Sequence, residues 1–170
     1  MAWVTPRTWV PEELVTANLL NTHLRDNLNA LKNPPSAHYE LNQGSDYTTT
    51  SGSFVDVDAT NLALTITPSG GDVLVHFHGA VENSGGSAIY FDVAVDGTRI
   101  GGDDGIARVR ASASLDMVEV SFTRLITGLS AAAHTFKLQW KTPANTATLF
   151  AGAGTGGKDV HPQFWAREVS

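Results

Sequence analysis

The spacing of apolar residues changes at Pro34-Pro35, and this change limits what the chain can form more than any other feature. Before the prolines, leucines recur every three or four residues, as on one side of a helix. These residues are Leu20, Leu24, Leu28 and Leu31. After the prolines, apolar and polar residues alternate, as in strands with one buried side. The sequence therefore predicts an N-terminal arm and helix in residues 1–35 and a β domain in residues 36–170.

The helix is expected to begin after Thr16, whose hydroxyl suits an N-cap, and to end at Asn33 before the prolines. It would span about 17 residues, or roughly 25 Å. Its leucines form a narrow row, which is typical of a seam for one or two partner helices. The same row would also serve for packing on the chain's own β domain, so both interpretations stay open.

An arm that is rich in large apolar residues precedes the helix. It contains Trp3, Val4, Trp9 and Val10 and is interrupted by Pro6 and Pro11. Aromatic side chains of this size are favoured anchors in buried interface pockets. We therefore expect the arm to dock on another protein, with folding back over the chain's own core as the alternative.

The β domain is predicted from five alternating runs separated by turn residues. The runs are residues 62–66, 72–82, 88–95, 117–122 and 134–140. Asp96-Gly97, at the end of the third run, is a strong hairpin signal. Several strands at short spacing, without a second helical pattern among them, predict an antiparallel β-sandwich or jelly roll. The fold class is therefore mainly β, with an N-terminal arm and one α-helix.

The composition narrows the classes of function. The chain has no cysteine, which excludes disulfides, a thiol nucleophile and thiolate metal sites. Its net charge is −6, with 11 basic and 17 acidic residues, whereas nucleic acid or an anionic membrane would demand a basic partner. Charged residues make up 16%, against roughly 25% in an average soluble domain. We expect no signal peptide or membrane span, and a surface partly covered by copies of the same chain.

One pattern resembles the first half of a cupin metal motif, namely His76, His78 and Glu82 after Gly70. Two imidazoles and a carboxylate can bind a divalent transition metal. However, Val73, Val75, Phe77 and Val81 alternate with these residues and are expected to take the core side, which turns the histidines outward. The motif is also incomplete, because Ile89 stands where its glycine is expected, and His134 lacks the second motif's context. A cupin-like metal-binding protein is kept as a minor alternative.

A second pattern, Gly152 to Lys158, formally matches a phosphate-binding loop. Such a loop needs a following helix N-terminus, and His161-Pro162 leaves no room for one. We interpret the segment as a loop between strands. The sequence has no Ser-His-Asp order of the known hydrolases and no G-x-S-x-G elbow, so we predict no enzyme and no cofactor.

Residues 9–28 resemble a segment near the N-terminus of many tailed-bacteriophage virion proteins. The resemblance rests on Trp9, on Val15-Thr16-Ala17 and on Leu24-Arg25-Asp26-Asn27-Leu28. Four later segments are similar to the small β-sandwich heads that follow it in such proteins, and they extend the resemblance over almost the whole chain. These segments are residues 91–97, 127–140, 145–149 and 164–168.

The resemblance implies a non-enzymatic virion protein of the head-fibre, decoration or tail-fibre type. It implies a homotrimer that is attached by its N-terminal segment to capsid, neck or tail proteins, after synthesis in the host cytoplasm. The residues expected to carry attachment and assembly are Trp3, Trp9, Val10, Leu20, Leu24, Leu28 and Leu31. A receptor-binding head that recognises a host-surface glycan is the alternative function.

Overall fold

The computed structural model describes residues 3–110 and 114–169. Its helical part is α-helical over Ala17–Leu20, π-helical over Asn21–Asp26 and α-helical again over Asn27–Lys32. We call residues 17–32 the N-terminal helix. The strands are β1 Ser36–Glu40, β2 Tyr47–Thr49, β3 Val55–Asp56, β4 Ala63–Ile66, β5 Val73–Asn83, β6 Ala88–Val95, β7 Thr98–Arg99, β8 Ala107–Arg110, β9 Val118–Ile126, β10 His134–Lys141, β11 Ala147–Leu149 and β12 Gln163–Glu168.

The strands form two antiparallel six-stranded sheets. In the first sheet the order is β1-β12-β5-β11-β2, and β9 pairs with the other edge of β5. In the second sheet the order is β3-β10-β6-β7, with β4 on β10 and β8 on β6. The chain is therefore mainly β, with two packed sheets after an N-terminal arm and helix, as the alternation predicted.

The core lies between the two sheets and is built from every second residue of the central strands. In β5, Val73, Val75 and Phe77 are fully buried, whereas His76 and His78 on the opposite side are not. This confirms that the histidines face away from the core. β6 supplies Phe91 and Val93, and β10 supplies Phe136, Leu138 and Trp140 from the opposing sheet.

A chain of aromatic rings crosses the core from one sheet to the other. Phe122 contacts Phe77 within the first sheet, with ring centroids 5.8 Å apart. Phe77 stacks on Phe91 of the second sheet at 5.4 Å, and Phe91 contacts Trp140 at 6.2 Å. Aromatic pairs at such distances contribute about 0.5–1.5 kcal/mol beyond the apolar area that they bury.

The predicted hairpin at Asp96-Gly97 joins β6 to β7. Both residues have positive φ, 51° and 84°, which is the conformation of the two central positions of a type I′ turn. The loop that follows returns to β6, where the fully buried Asp92 accepts hydrogen bonds from Gly101 N–H at 2.9 Å and Arg99 Nε at 2.7 Å. Gly105 is required there, because a Cβ would lie 2.3 Å from the Phe91 carbonyl oxygen.

Within the described ranges, no helix is both long enough and apolar enough to cross a membrane.

Replacing Phe77 with alanine should lower the free energy of unfolding by about 3–5 kcal/mol, because it removes the ring that joins the two sheets and leaves a cavity. Urea unfolding followed by tryptophan fluorescence measures this loss. Leu125→Ala is the matched control, since Leu125 lies on a strand beside β5 but is 45% exposed. Equal destabilisation by the two substitutions would contradict the assigned core.

Candidate functional site

The N-terminal helix begins as the sequence predicted. The Thr16 hydroxyl accepts a hydrogen bond from the Leu19 N–H at 3.3 Å, which is N-cap geometry. At the other end, Asn33 donates its N–H to the Asn29 carbonyl before Pro34 and Pro35 stop the helix. The N-cap at Thr16 and the two prolines after Asn33 therefore account for where the helix begins and ends.

The π-helical segment over Asn21–Asp26 is a difference from the predicted regular helix. A π-turn forms i→i+5 hydrogen bonds and takes up more residues than an α-turn. The positions of the leucines around the helix axis between Leu20 and Leu28 therefore depart from those on a 3.6-residue wheel. The spacing of the leucines carries no local signal for this insertion.

The arm folds back along the helix and not over the β core. The buried Asn27 side chain pairs with the backbone of Val4, donating to its carbonyl at 2.8 Å and accepting from its N–H at 2.9 Å. Trp9 meets the ring of His23 edge-on at 6.3 Å. Arg7 lies over the Trp9 ring at 4.8 Å and forms an ion pair with Glu13. These contacts tie the arm to one side of the helix.

The seven residues predicted for attachment and assembly all remain exposed in the single chain. Their exposed fractions run from 39% at Trp9 to 65% at Leu31. Leu20, Leu24 and Leu28 are exposed and do not pack into the β-sandwich, whereas Leu31 at the helix end borders a groove against the first sheet. We call this apolar set, together with the backbone that carries it, the N-terminal surface. Its members are Trp3, Trp9, Val10, Leu20, Leu24, Leu28 and Leu31.

A groove of about 530 Å³ lies where the helix end meets the first sheet. Its lining includes Trp3 and Leu31 on the N-terminal side and Leu74 and Trp165 on the sheet side. At its polar edge, the buried Glu168 accepts hydrogen bonds from the Ser69 N–H and hydroxyl at 2.7 and 2.6 Å. The groove therefore connects the N-terminal surface with the outer side of the first sheet.

That outer side carries a row of partly buried aromatic groups. His76 stacks on Trp165 with ring centroids 5.2 Å apart, and its Nδ1 lies 2.9 Å from the Thr123 hydroxyl. Partial burial lowers the pKa of His76, because it disfavours the charged imidazolium, and the neighbouring His78 adds repulsion in the same direction. The stacked position of His76 on Trp165 therefore favours the uncharged imidazole.

The cupin-like residues do not come together as a metal site. Glu82 lies four residues from His78 along β5, a separation of about 13 Å at the rise of a strand. Its carboxylate is instead 2.6 Å from the ammonium group of Lys158, and His134 lies on β10 in the other sheet. Over residues 3–110 and 114–169, no group of three His, Cys, Asp or Glu side chains is placed to hold a metal ion.

The same ion pair holds the end of the glycine-rich loop, residues 152–158, whose sequence resembles a phosphate-binding motif. Lys158 is held against Glu82 and over the Phe150 ring at 5.1 Å. The chain continues through an extended segment into β12, without a helix N-terminus after the loop. The loop thus packs against the first sheet as a connection between β11 and β12.

The structure also joins three residues that sequence reasoning did not connect. His134 Nδ1 lies 2.7 Å from the Asp96 carboxylate, and its Nε2 lies 3.1 Å from the Ser130 hydroxyl. The Thr135 N–H also donates to Asp96, and these contacts lower the pKa of that carboxyl. Nε2 is equally close to the Ser130 carbonyl, at 3.2 Å, and Asp96 is the first hairpin residue. This arrangement ties the hairpin to the start of β10. The sequence alone does not predict it, because the pairing of β6 with β10 brings these residues together.

No protein-family model matches the sequence, and no curated protein sequence matches it. Solved structures with some similarity include Eiger TNF from S. frugiperda, at 11% identity and a TM-score of 0.44, covering 81% of this chain and 95% of that one. Dimeric latent PorU from Porphyromonas gingivalis matches at 10% identity and a TM-score of 0.37, covering 99% of this chain but 14% of that one.

The infectious bursal disease virus Gt strain structure matches at 11% identity and a TM-score of 0.36, covering 79% of this chain and 38% of that one. Identities this low and TM-scores below 0.5 tell nothing about what this chain binds. The functional argument therefore stands on the chain's own surfaces.

The pKa of His76 should be measurably below its ordinary value of 6.5. Histidine ring signals followed by NMR across pH 4.5–8.5 test this directly. His78→Gln should raise the pKa part of the way back, because it removes the repulsion but leaves the burial.

The pH dependence of the folding stability follows from the same lowering of the His76 pKa. The unfolded chain binds this proton more readily than the folded chain, so the contribution of His76 is complete above pH 6.5 and is lost as the pH falls below that value. A His76 midpoint at or above 6.5 would contradict the stacked, partly buried position.

Proposed function

We propose that this chain is a non-enzymatic structural subunit of a virion, which assembles as a homotrimer and attaches to the particle through its N-terminal surface. The observation that carries the proposal is the exposure of that surface. Two tryptophans and four leucines are turned to solvent on a segment that has its own caps and internal contacts. The resemblance of residues 9–28 to phage virion segments supports the same function.

The energetics favour a docked N-terminal segment. A helix of 16 residues has little stability of its own and usually depends on packing of its apolar side. Covering the remaining exposed area of a half-exposed leucine would contribute about 1 kcal/mol, roughly half of its full burial. Four leucines and two tryptophans would therefore supply several kcal/mol per copy, and three copies attached together would add avidity.

The ionisable groups buried in the sandwich support a structural function. Glu82 pairs with Lys158, Asp92 with Arg99, and Glu168 with Ser69. The first and third pairs each tie a loop to a strand, and the Asp92–Arg99 pair ties β7 to β6, so these charges serve the fold. The Asp96–His134–Ser130 contacts do the same for a hairpin.

Light scattering on the full chain tests the assembly. The proposal expects a molar mass three times the monomer's 18.1 kDa. A mass of one monomer at concentrations up to about 100 μM would contradict the homotrimer, since affinities weaker than this correspond to only about 5 kcal/mol.

Attachment is tested by Leu24→Gln combined with Leu28→Gln. These exposed substitutions should leave the unfolding midpoint of the sandwich unchanged while abolishing incorporation into particles assembled from the encoding genome. Asn18→Gln with Arg25→Gln is the matched control on exposed polar positions of the same helix. Normal incorporation of the double leucine variant would remove the basis for an attachment function.

A further inference from the structure

One part of a sheet surface carries few charges, and it lies beside the N-terminal surface. We call it the open face: the outward-facing residues of β1 and β12, of β5 from Leu74 to His78 and of β9 from Ser121 to Leu125, with the exposed Glu119 just beyond its margin. Cross-strand pairing arranges it in three rows of four residues. The rows are Ser36, Arg167, Leu74 and Leu125; His38, Trp165, His76 and Thr123; and Glu40, Gln163, His78 and Ser121.

The orientation of these rows follows from burial. The residues that alternate with them, such as Val75, Phe77 and Phe164, are fully buried in the core. Because successive side chains of a strand point to opposite sides, the twelve row residues lie on the outside. Leu125 is 45% exposed there, and no other strand or helix lies over it in the described part of the chain.

The open face carries fewer charges than the outer side of the second sheet. Among the twelve residues of the open face, only Arg167 and Glu40 are formally charged at neutral pH, and they lie in different rows. The outer side of the second sheet instead carries ion pairs between Asp56 and Lys137 at 2.8 Å and between Asp92 and Arg99 at 2.7 Å. It also carries Lys141, Arg108 and Arg110.

This contrast explains where the low overall charge is located. Charged residues are depleted from the buried centres of protein interfaces, and large aromatic residues are enriched there. The open face has Trp165 and His76 stacked at its centre, with leucines in the adjoining row. The second sheet has the ion-paired character of a solvated surface.

We propose that the open face is the surface through which copies of this chain bind one another. The inference rests on the proposed homotrimer and names the surface that forms it. Four strands about 4.8 Å apart and five residues long present a projected area of roughly 350 Å². This area would supply the centre of an interface, since a standard interface buries about 800 Å² of accessible surface per partner.

The charges of the open face suit a ring of identical copies. Around an axis parallel to the strands, each row of one copy would lie beside the same row of the next copy. The β1 edge would then meet the β9 edge, so that Glu40 faces Ser121 and His38 faces Thr123. No like charges are paired across this shared edge, and the Ser121 hydroxyl of one copy can donate to the Glu40 carboxylate of the next. A second copy is therefore the occupant that the charges of this face favour.

Thr123→Arg tests the assignment on the full chain. It places an unpaired charge in the middle row, and leaving such a charge buried in an interface should weaken association roughly hundredfold or more. Thr65→Arg is the matched control on the outer side of the second sheet. Both threonines are exposed mid-strand residues with one side-chain hydrogen bond, to His76 and to Thr135 respectively.

Light scattering over a range of concentrations, with urea unfolding as a check of the fold, gives four outcomes. The inference is supported if the parent chain and Thr65→Arg are trimeric while Thr123→Arg is folded and monomeric. A trimeric Thr123→Arg overturns the open face but leaves the homotrimer standing. Equal dissociation of both variants also overturns the assignment to this face. A monomeric parent overturns the homotrimer itself, and the inference with it.

Discussion

The stacking of Phe77 on Phe91 is the contact on which the rest of the molecule depends. It joins the first sheet to the second at 5.4 Å, and it lies on the two strands that pair with most of the others. Strand register has a period of two, so a buried ring at one position determines the orientation of every other residue in the strand. With Phe77 inward, His76 and His78 must lie outside. With Phe91 inward, Asp92 must lie on the outer side of the second sheet.

The outward-facing residues of the two sheets have different surroundings, because the chain itself covers Asp92 but leaves His76 and His78 partly exposed. Asp92 is covered by β7 and the loop after it, which supply Arg99 Nε and the Gly101 N–H to its carboxylate. A buried carboxylate without such partners would be strongly destabilising. The open face has no comparable covering loop in the described ranges, and its central groups are neutral or weakly basic rings. One sheet thus satisfies its outer groups within the chain, whereas the other leaves an apolar and aromatic area available.

Local sequence patterns predicted the strands and the turn whose formation depends on residues close together in the chain. Alternation gave β6 and β10 almost to the residue, and Asp96-Gly97 gave the hairpin between β6 and β7. The outward position of His76 followed from Phe77 and its apolar neighbours. In contrast, the Glu82–Lys158 pair joins residues 76 apart in sequence, and the Val4–Asn27 contact depends on the arm's return path. Such contacts are set by the assembled sheets, so no spacing rule could predict them.

The groove lies between the two exposed surfaces, the N-terminal surface and the open face. Trp3 and Leu31 line it from the N-terminal side, and Leu74 and Trp165 line it from the open face. If the open face binds neighbouring copies, the groove lies at the margin of that contact, and the leucines further along the helix stay free for a different partner. Self-assembly and attachment then use adjoining but separate residues. A charged residue on the open face would accordingly disperse the copies, while polar residues on the helix would release intact assemblies from the particle.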